Sequence, residues 1–339
     1  MTAIPILIKV SLANAKFMKY HNKIRSIPSG IQNTEKSRAA AHMVNYIRKG
    51  VSNVNTKTWL QAKPDHTKIA WTDSTFNIVW GCTKVSEACK NCYAQTQSRN
   101  IAGFGTTRPD LWLKRGATEE GKGYKVELGR KIMFDAYWLK PLRWQRLAEK
   151  NKTIQLVFSS SFADVFEDHP VVERELGRLW ELIRKTPNLH WQLLTKRPER
   201  IRKSLPKDWW DFENGYPNVW LGTTVEGDKV ADRFNEHLAD IPAVVKFISY
   251  EPAVEALTNI RWDKLDWLIA GGESGSDRRP FKLEWARHVH EMCQANNAEF
   301  FYKQDTAFRS STNPYLDGKK HYNFPMPRPS GQGEQTLSA

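Results

Sequence analysis

From Phe76 onward, short runs of β-branched and aromatic residues alternate with longer amphipathic stretches, the pattern of βα units around a parallel sheet. The runs predict strands at Phe76–Trp80, Lys131–Phe134, Ile154–Ser159, His190–Thr195, Asn218–Thr223, Val244–Ser249, Asp266–Ala270 and Glu299–Tyr302. Between them, apolar residues recur at helical spacing over Ala136–Glu149, Val171–Lys185, Asp228–Leu238 and Leu283–Asn296. Eight strands with crossovers predict an α/β fold, a (β/α)8 or partial TIM-type barrel.

The barrel pattern occupies residues 66–325, and both flanks read differently. Residues 1–65 hold a short apolar run, Ile4–Val10, basic turns around Pro28 and Gly30, and a helical stretch from Glu35 to Lys49, which together predict an N-terminal extension. Residues 326–339 are polar and Pro-rich, the composition of a disordered tail. Within the barrel, Phe104–Leu128 is rich in Gly and Lys with weak periodicity and is expected to be a long loop or lid.

Composition supports a folded chain: 40% of the residues are hydrophobic and 14 are Trp, far from the aromatic-poor composition of disordered proteins. The net charge of +14 favours polyanions such as nucleic acid or anionic cofactors, although no block of like charges marks a nucleic-acid tail. No apolar run approaches the roughly 18 residues that span a bilayer, and Lys9 interrupts the first one. No signal peptide is read at the start. Only four cysteines occur, three of them within residues 82–92, which points to metal binding in a reducing compartment, the cytoplasm, rather than to a disulfide framework.

Cys82, Cys89 and Cys92 have the spacing C-x6-C-x2-C, on a predicted loop between a strand and a helix. Cys89 and Cys92, three apart, would project from one face of a helical turn while Cys82 approaches from the strand end. Lys84, Lys90 and Arg99 would offset the thiolate charge. Three thiolates are one fewer than a structural zinc site or a 4Fe-4S cluster uses, so an exchangeable ligand can take the open position. In radical S-adenosylmethionine enzymes that ligand is the amino acid end of the cofactor, whose sulfonium is cleaved to a 5'-deoxyadenosyl radical. The competing reading is a zinc site completed by Cys293, His66 or His169.

In a barrel, side chains at the C-terminal strand ends form the active face, and six successive predicted ends here are polar. They carry Ser159 to Ser161 with Asp164, Lys196 with Arg197, Glu226, Ser249 with Glu251, Gly271 to Gly275, and Lys303 with Gln304. Gly271 and Gly272 would bring backbone N–H groups to a ligand, and Glu273, followed by Ser274, would accept from an ammonium group. Lys196 and Arg197 suit an anion, and Asp164, Glu226 and Glu251 suit ribose contacts or proton transfer, or else ion pairs with those same cations.

Seven ordered motifs add a resemblance: Trp71-Thr72-Asp73 through Phe76-Asn77, the cysteine loop ending Cys92-Tyr93-Ala94, Leu194 to Arg200, Asn218 to Gly222, Ser249 with Glu251-Pro252, Gly271 to Gly275, and Lys303-Gln304. Together they resemble a phage-associated family of three-cysteine proteins, the phage gp thirty-seven and gp sixty-eight-like proteins, related to radical S-adenosylmethionine enzymes. The resemblance implies a barrel, a 4Fe-4S cluster on Cys82, Cys89 and Cys92, S-adenosyl-L-methionine as cofactor, and a partner protein encoded nearby. Against the commonest radical motif, C-x3-C-x2-C with an aromatic before the last cysteine, the first gap is six and that position is Asn91; Tyr93 would stack on adenine instead. The family continues Lys-Gln with Trp-Gly, whereas Asp305-Thr306 stand here, implying an altered substrate-side loop.

These readings make Lys196, Glu251 and Asp164 candidate catalytic residues. Tyr93, Ser159, Glu226, Ser249, Gly271, Gly272, Glu273 and Ser274 are candidate cofactor contacts, and Arg197, Lys303 and Gln304 candidate substrate contacts. The expected substrate is a nucleic acid base or nucleotide, on the basic charge and exposed-type Trp pairs such as Trp209-Trp210. Two other classes compete: a nucleic-acid-binding protein with structural zinc, and a barrel hydrolase or transferase using Glu226, Glu251 and Glu273.

Overall fold

The structure, a computed structural model, describes residues 67–100, 119–121, 124–309 and 312–325. The predicted N-terminal extension, the C-terminal tail and most of the predicted lid lie outside the described residues.

In chain order the strands are β1 (Ser74–Thr75), β2 (Val79–Trp80), β3 (Glu119–Gly121), β4 (Tyr124–Glu127), β5 (Arg130–Met133), β6 (Gln155–Ser159), β7 (Leu189–Thr195), β8 (Val219–Thr224), β9 (Val245–Tyr250), β10 (Trp267–Gly271) and β11 (Glu299–Gln304). Among the described residues seven form a parallel sheet in the order β1-β6-β7-β8-β9-β10-β11, and the other four form an antiparallel sheet in the order β2-β5-β4-β3. The architecture is therefore an α/β fold with an open, partial barrel, not eight strands closed into a ring.

Two predicted barrel strands account for the difference. Phe76–Trp80 does not join the parallel sheet: the parallel strand is Ser74–Thr75, just before it, and Val79–Trp80 turns away to pair antiparallel with Lys131 and Ile132. Lys131–Phe134 belongs to that second sheet, where Tyr124–Glu127, expected as loop, pairs with it. Lys125 and Lys131 break the apolar run that a strand buried on both faces requires.

Period-two alternation in the parallel strands separates two cores. Val157, Leu193, Leu221, Ile248, Leu268 and Tyr302 join one cluster with Leu176, Leu179 and Ile183 of the helix Pro170–Arg184. Their neighbours Phe158, Trp220, Phe247, Trp267 and Phe301 join Trp71 in the other. Trp267 lies edge-on to Trp71, Trp220 and Phe301, with ring centroids 6.2, 5.7 and 6.3 Å away. Aromatic bulk thus fills the concave face.

The crossovers are less helical than the periodicity predicts. Pro170–Arg184 and Leu283–Ala295 form as expected, but Ala136–Glu149 is split into Asp135–Trp138 and Lys140–Asn151, with Pro141 in the first turn of the second helix. Asp228–Leu238 reduces to two short turns, Asp228–Val230 and Asp232–Asn235. Among the described residues no helix is long and apolar enough to cross a membrane.

Candidate functional site

The cysteine loop leaves β2 through Gly81, whose φ of 108° a side chain would strain, and enters the helix Tyr93–Asn100, labelled α1. Cys89 closes the short 3-10 turn Glu87–Cys89, and Cys92 stands just before α1. The two therefore do not share one helical face, because the chain changes helix type between them. All three thiols are free and partly exposed.

The loop is held from below by a buried ion network. Glu167 accepts from Arg130 at 2.6 and 2.8 Å and from the Thr83 N–H at 2.8 Å. Arg197 reaches the Thr83 carbonyl at 2.6 Å, the Cys82 sulfur at 3.7 Å, Asp164 at 2.9 Å and Glu167 at 3.4 Å. Burial opposes ionisation of Glu167, yet Arg130, Arg197 and Thr83 hold its carboxyl below the usual range. Burial, with Glu167 and Asp164 nearby, pushes the Cys82 thiol up to about 12, against the pull of Arg197. Burial also opposes ionisation of Cys89, but the Lys196 charge and hydrogen bonds from Val85 and Ser86 hold that thiol below its ordinary value.

Two further clamps act from the side. The Ser86 hydroxyl donates to Glu226, which is paired with Arg233 at 2.6 Å. Asn91 donates to Glu273 at 3.2 Å and to the Asp277 carbonyl at 2.6 Å, and Glu273 is paired with Arg279 at 2.7 Å. Thr306 donates to the carbonyls of Glu273 and Arg279 at 2.8 and 3.0 Å, so the atypical residue after Lys303-Gln304-Asp305 ties down the same loop.

Between this loop and the parallel strand ends lies a cavity of about 520 Å³. Its walls include Cys82, Cys89, Cys92, Tyr93, Lys196, Ser249, Glu251, Ser274, Lys303 and Gln304. Thr75 of β1 and Gln304 of β11, the first and last strands in the order of the parallel sheet, both line it. Glu251 and Lys303 form an ion pair at 3.0 Å, although the contacting carboxylate oxygen has no hydrogen bond of good geometry. Tyr93 donates to the Ser161 carbonyl at 3.0 Å and stays 41% exposed.

Several expectations change. Asp164 is no free acid or base: it accepts from Thr195, Phe166, Lys196 and Arg197. Arg197 and Glu226 are engaged in holding the cysteine loop, and Glu226 does not line the cavity. Glu273, expected to receive an ammonium group, already receives Arg279 and Asn91. The Gly272 N–H, expected at a ligand, donates to the Gln304 carbonyl at 3.1 Å. A Cβ on Gly271 would meet Glu251 at 2.7 Å and one on Gly272 would meet Thr306 at 2.5 Å, so the pair is glycine for packing. Ser159 is fully buried beneath the cavity, which Ser160 and Ser161 line instead. Trp209 is a core residue, while Trp210 is 44% exposed with Arg202 over its ring.

Among the described residues, no three His, Cys, Asp or Glu side chains gather where a single metal ion could sit. The three thiols expected as metal ligands line one shared cavity. The fourth zinc ligands weighed from sequence are elsewhere. His169 caps the helix Pro170–Arg184, accepting from Val171 at 3.3 Å, and Cys293 is buried in the helical core; His66 lies outside the described residues. Arg130, Glu167, Asn91 and Ser86 were not singled out from the sequence. Asn91 and Ser86 could have been noticed as polar residues inside the cysteine loop, but pairing Arg130 with Glu167 needs the fold.

Residues 66–325 match a family described as a protein of unknown function, DUF5131. No curated protein matches the sequence. Among solved structures, a double mutant of spore photoproduct lyase with bound AdoMet and dinucleoside spore photoproduct matches with 11% identity and a TM-score of 0.39, over 79% of this chain and 72% of that one.

Proposed function

The chain belongs to the DUF5131 family, and from that starting point we propose that it is a radical S-adenosylmethionine-type iron-sulfur enzyme. The observation that carries this reading is the cavity, where three reduced cysteines from one short loop face the polar ends of parallel strands. Three thiolates leave one iron of a 4Fe-4S cluster open, whereas a structural zinc site takes four protein ligands. The donor set fits the cluster on chemistry: three thiols and no fourth protein ligand among the described residues.

Cys82, Cys89 and Cys92 would each hold one iron of a 4Fe-4S cluster, leaving one for S-adenosylmethionine. When bound, the pair would supply an electron and a cleavable carbon–sulfur bond, the means of hydrogen abstraction. Arg197 would offset thiolate charge at Cys82 and Lys196 at Cys89. Tyr93 offers a ring for the adenine, and Ser249, Ser274 and Gln304 offer polar contacts along the wall. Glu251 and Lys303 form an acid and base pair in the cavity wall. The carboxylate hydrolase reading loses two of its three acids, since Glu226 and Glu273 are each neutralised by an arginine.

Anaerobically reconstituted protein, given a one-electron reductant, should release 5'-deoxyadenosine from S-adenosylmethionine. The variant with all three cysteines replaced by alanine should not. Intact S-adenosylmethionine in the presence of a formed cluster would overturn the reading.

A further inference from the structure

The charges lining the cavity do not cancel. Arg197 is matched by Asp164 and Glu167, Lys303 by Glu251, and Glu273 by Arg279. Two cations remain. Lys196 has its ammonium group 3.3 Å from the Thr224 hydroxyl and no carboxylate partner among the described residues. Lys68 lines the cavity from the segment before β1, is exposed, and has no ion pair among the described residues. The motifs point to Arg197 and Lys303 as substrate cations; the fold leaves that work to Lys68 and Lys196.

Their positions differ. Lys196 follows β7 and acts on Cys89, so it stands at the thiol side of the cavity. Lys68 precedes β1, the strand at one end of the open sheet. The wall beside Lys68 is aromatic and apolar, with Ile69, Trp71, Phe158 and Leu194. A flat ring against that wall and an anion at the exposed lysine are the two features of a nucleotide unit. A cavity of about 520 Å³ is in the range that encloses small-molecule ligands.

We propose that the cavity takes a phosphate-bearing nucleotide unit, its phosphate held by Lys68 at the open side of the sheet and its ring directed along the aromatic wall toward Lys196. The proposal rests on the radical-enzyme reading only for what happens to the ligand after binding. The phosphate can come from a free nucleotide or from a single-stranded polynucleotide, and the two are separated by experiment.

Binding to the full chain is measured without S-adenosylmethionine, using a nucleoside, its 5'-monophosphate and a short single-stranded oligonucleotide. The monophosphate or the oligonucleotide should bind about tenfold or more tighter than the nucleoside, the scale of charge-assisted contacts. That advantage should shrink with added salt. Lys68→Met should remove most of it and Lys68→Arg restore it, while circular dichroism stays unchanged. Preference for the monophosphate identifies a free nucleotide, and preference for the oligonucleotide alone identifies a polymer. Equal affinity for all three ligands, or an advantage that survives Lys68→Met, overturns the proposal. Iron content distinguishes the two readings: a cluster that forms without phosphate preference removes only this proposal, and phosphate preference without a cluster removes only the radical reading.

Discussion

The two sides of the cavity are built differently. Below and beside the cysteine loop, at the ends of β6, β7 and β8, the charged groups other than Lys196 are committed: Asp164, Glu167, Arg197 and Glu226 each hold two or more partners. Across the cavity, at the ends of β9 and β11, Glu251 and Lys303 have mainly each other, and Ser249 and Gln304 line the wall. A saturated network is costly to disturb and fixes a geometry, whereas groups with few partners can exchange them for a ligand. The first side is a frame for the thiols, and the second side keeps groups that can exchange partners for a ligand.

The largest effect should come from the frame. Glu167→Gln leaves the buried charges of Arg130 and Arg197 short of their common partner, and removing one member of such a network costs about 3 to 5 kcal/mol. Denaturant unfolding measures it; a loss under about 1 kcal/mol would break the contrast between the two sides. The same carboxyl sets a pH dependence. Its folded value lies below the unfolded one of about 4.3, so its stabilisation is complete above that and is lost as pH falls through the folded value. The acid limb of a stability profile should therefore be flatter in Glu167→Gln than in the parent.

Smaller effects should follow from the lateral clamp and then from the far wall. Glu273→Gln weakens the hold on Asn91 and Arg279, the latter partly exposed, and should cost about 1 kcal/mol while lowering iron retention. Glu251→Gln should change stability by no more than about 1 kcal/mol, yet abolish turnover, a split that a purely structural role would not give. Lys68→Met, at an exposed position, should stay within about 0.5 kcal/mol.

Much of this contrast was hidden from the sequence for a physical reason. The parallel strands from Gln155 to Gln304 were readable because burial on both faces leaves long apolar runs ending in polar residues. Val79–Trp80 and Arg130–Met133 look equally like strands, but nothing local states that they pair antiparallel with each other. The cavity-lining residues Cys82, Cys89, Cys92, Lys196, Ser249, Glu251, Ser274, Lys303 and Gln304 were identified from strand ends and spacing, and Tyr93 from the family resemblance. What could not be read was commitment. Arg197 and Lys196 are neighbours with the same charge, and only the fold shows that one is enclosed by Asp164 and Glu167 while the other faces the cavity with a hydroxyl partner. Lys68 carried no motif at all.

The central claim is that three thiolates from one loop hold a cluster with one iron left open. Anaerobic reconstitution with iron and sulfide, followed by iron, sulfide and zinc analysis, tests it most directly. The account predicts a brown protein with about four irons and four sulfides per chain, absorbing near 400 nm, and loss of that chromophore when Cys82, Cys89 or Cys92 is replaced by alanine. A colourless protein carrying one tightly held zinc, or a chromophore indifferent to all three replacements, would contradict it.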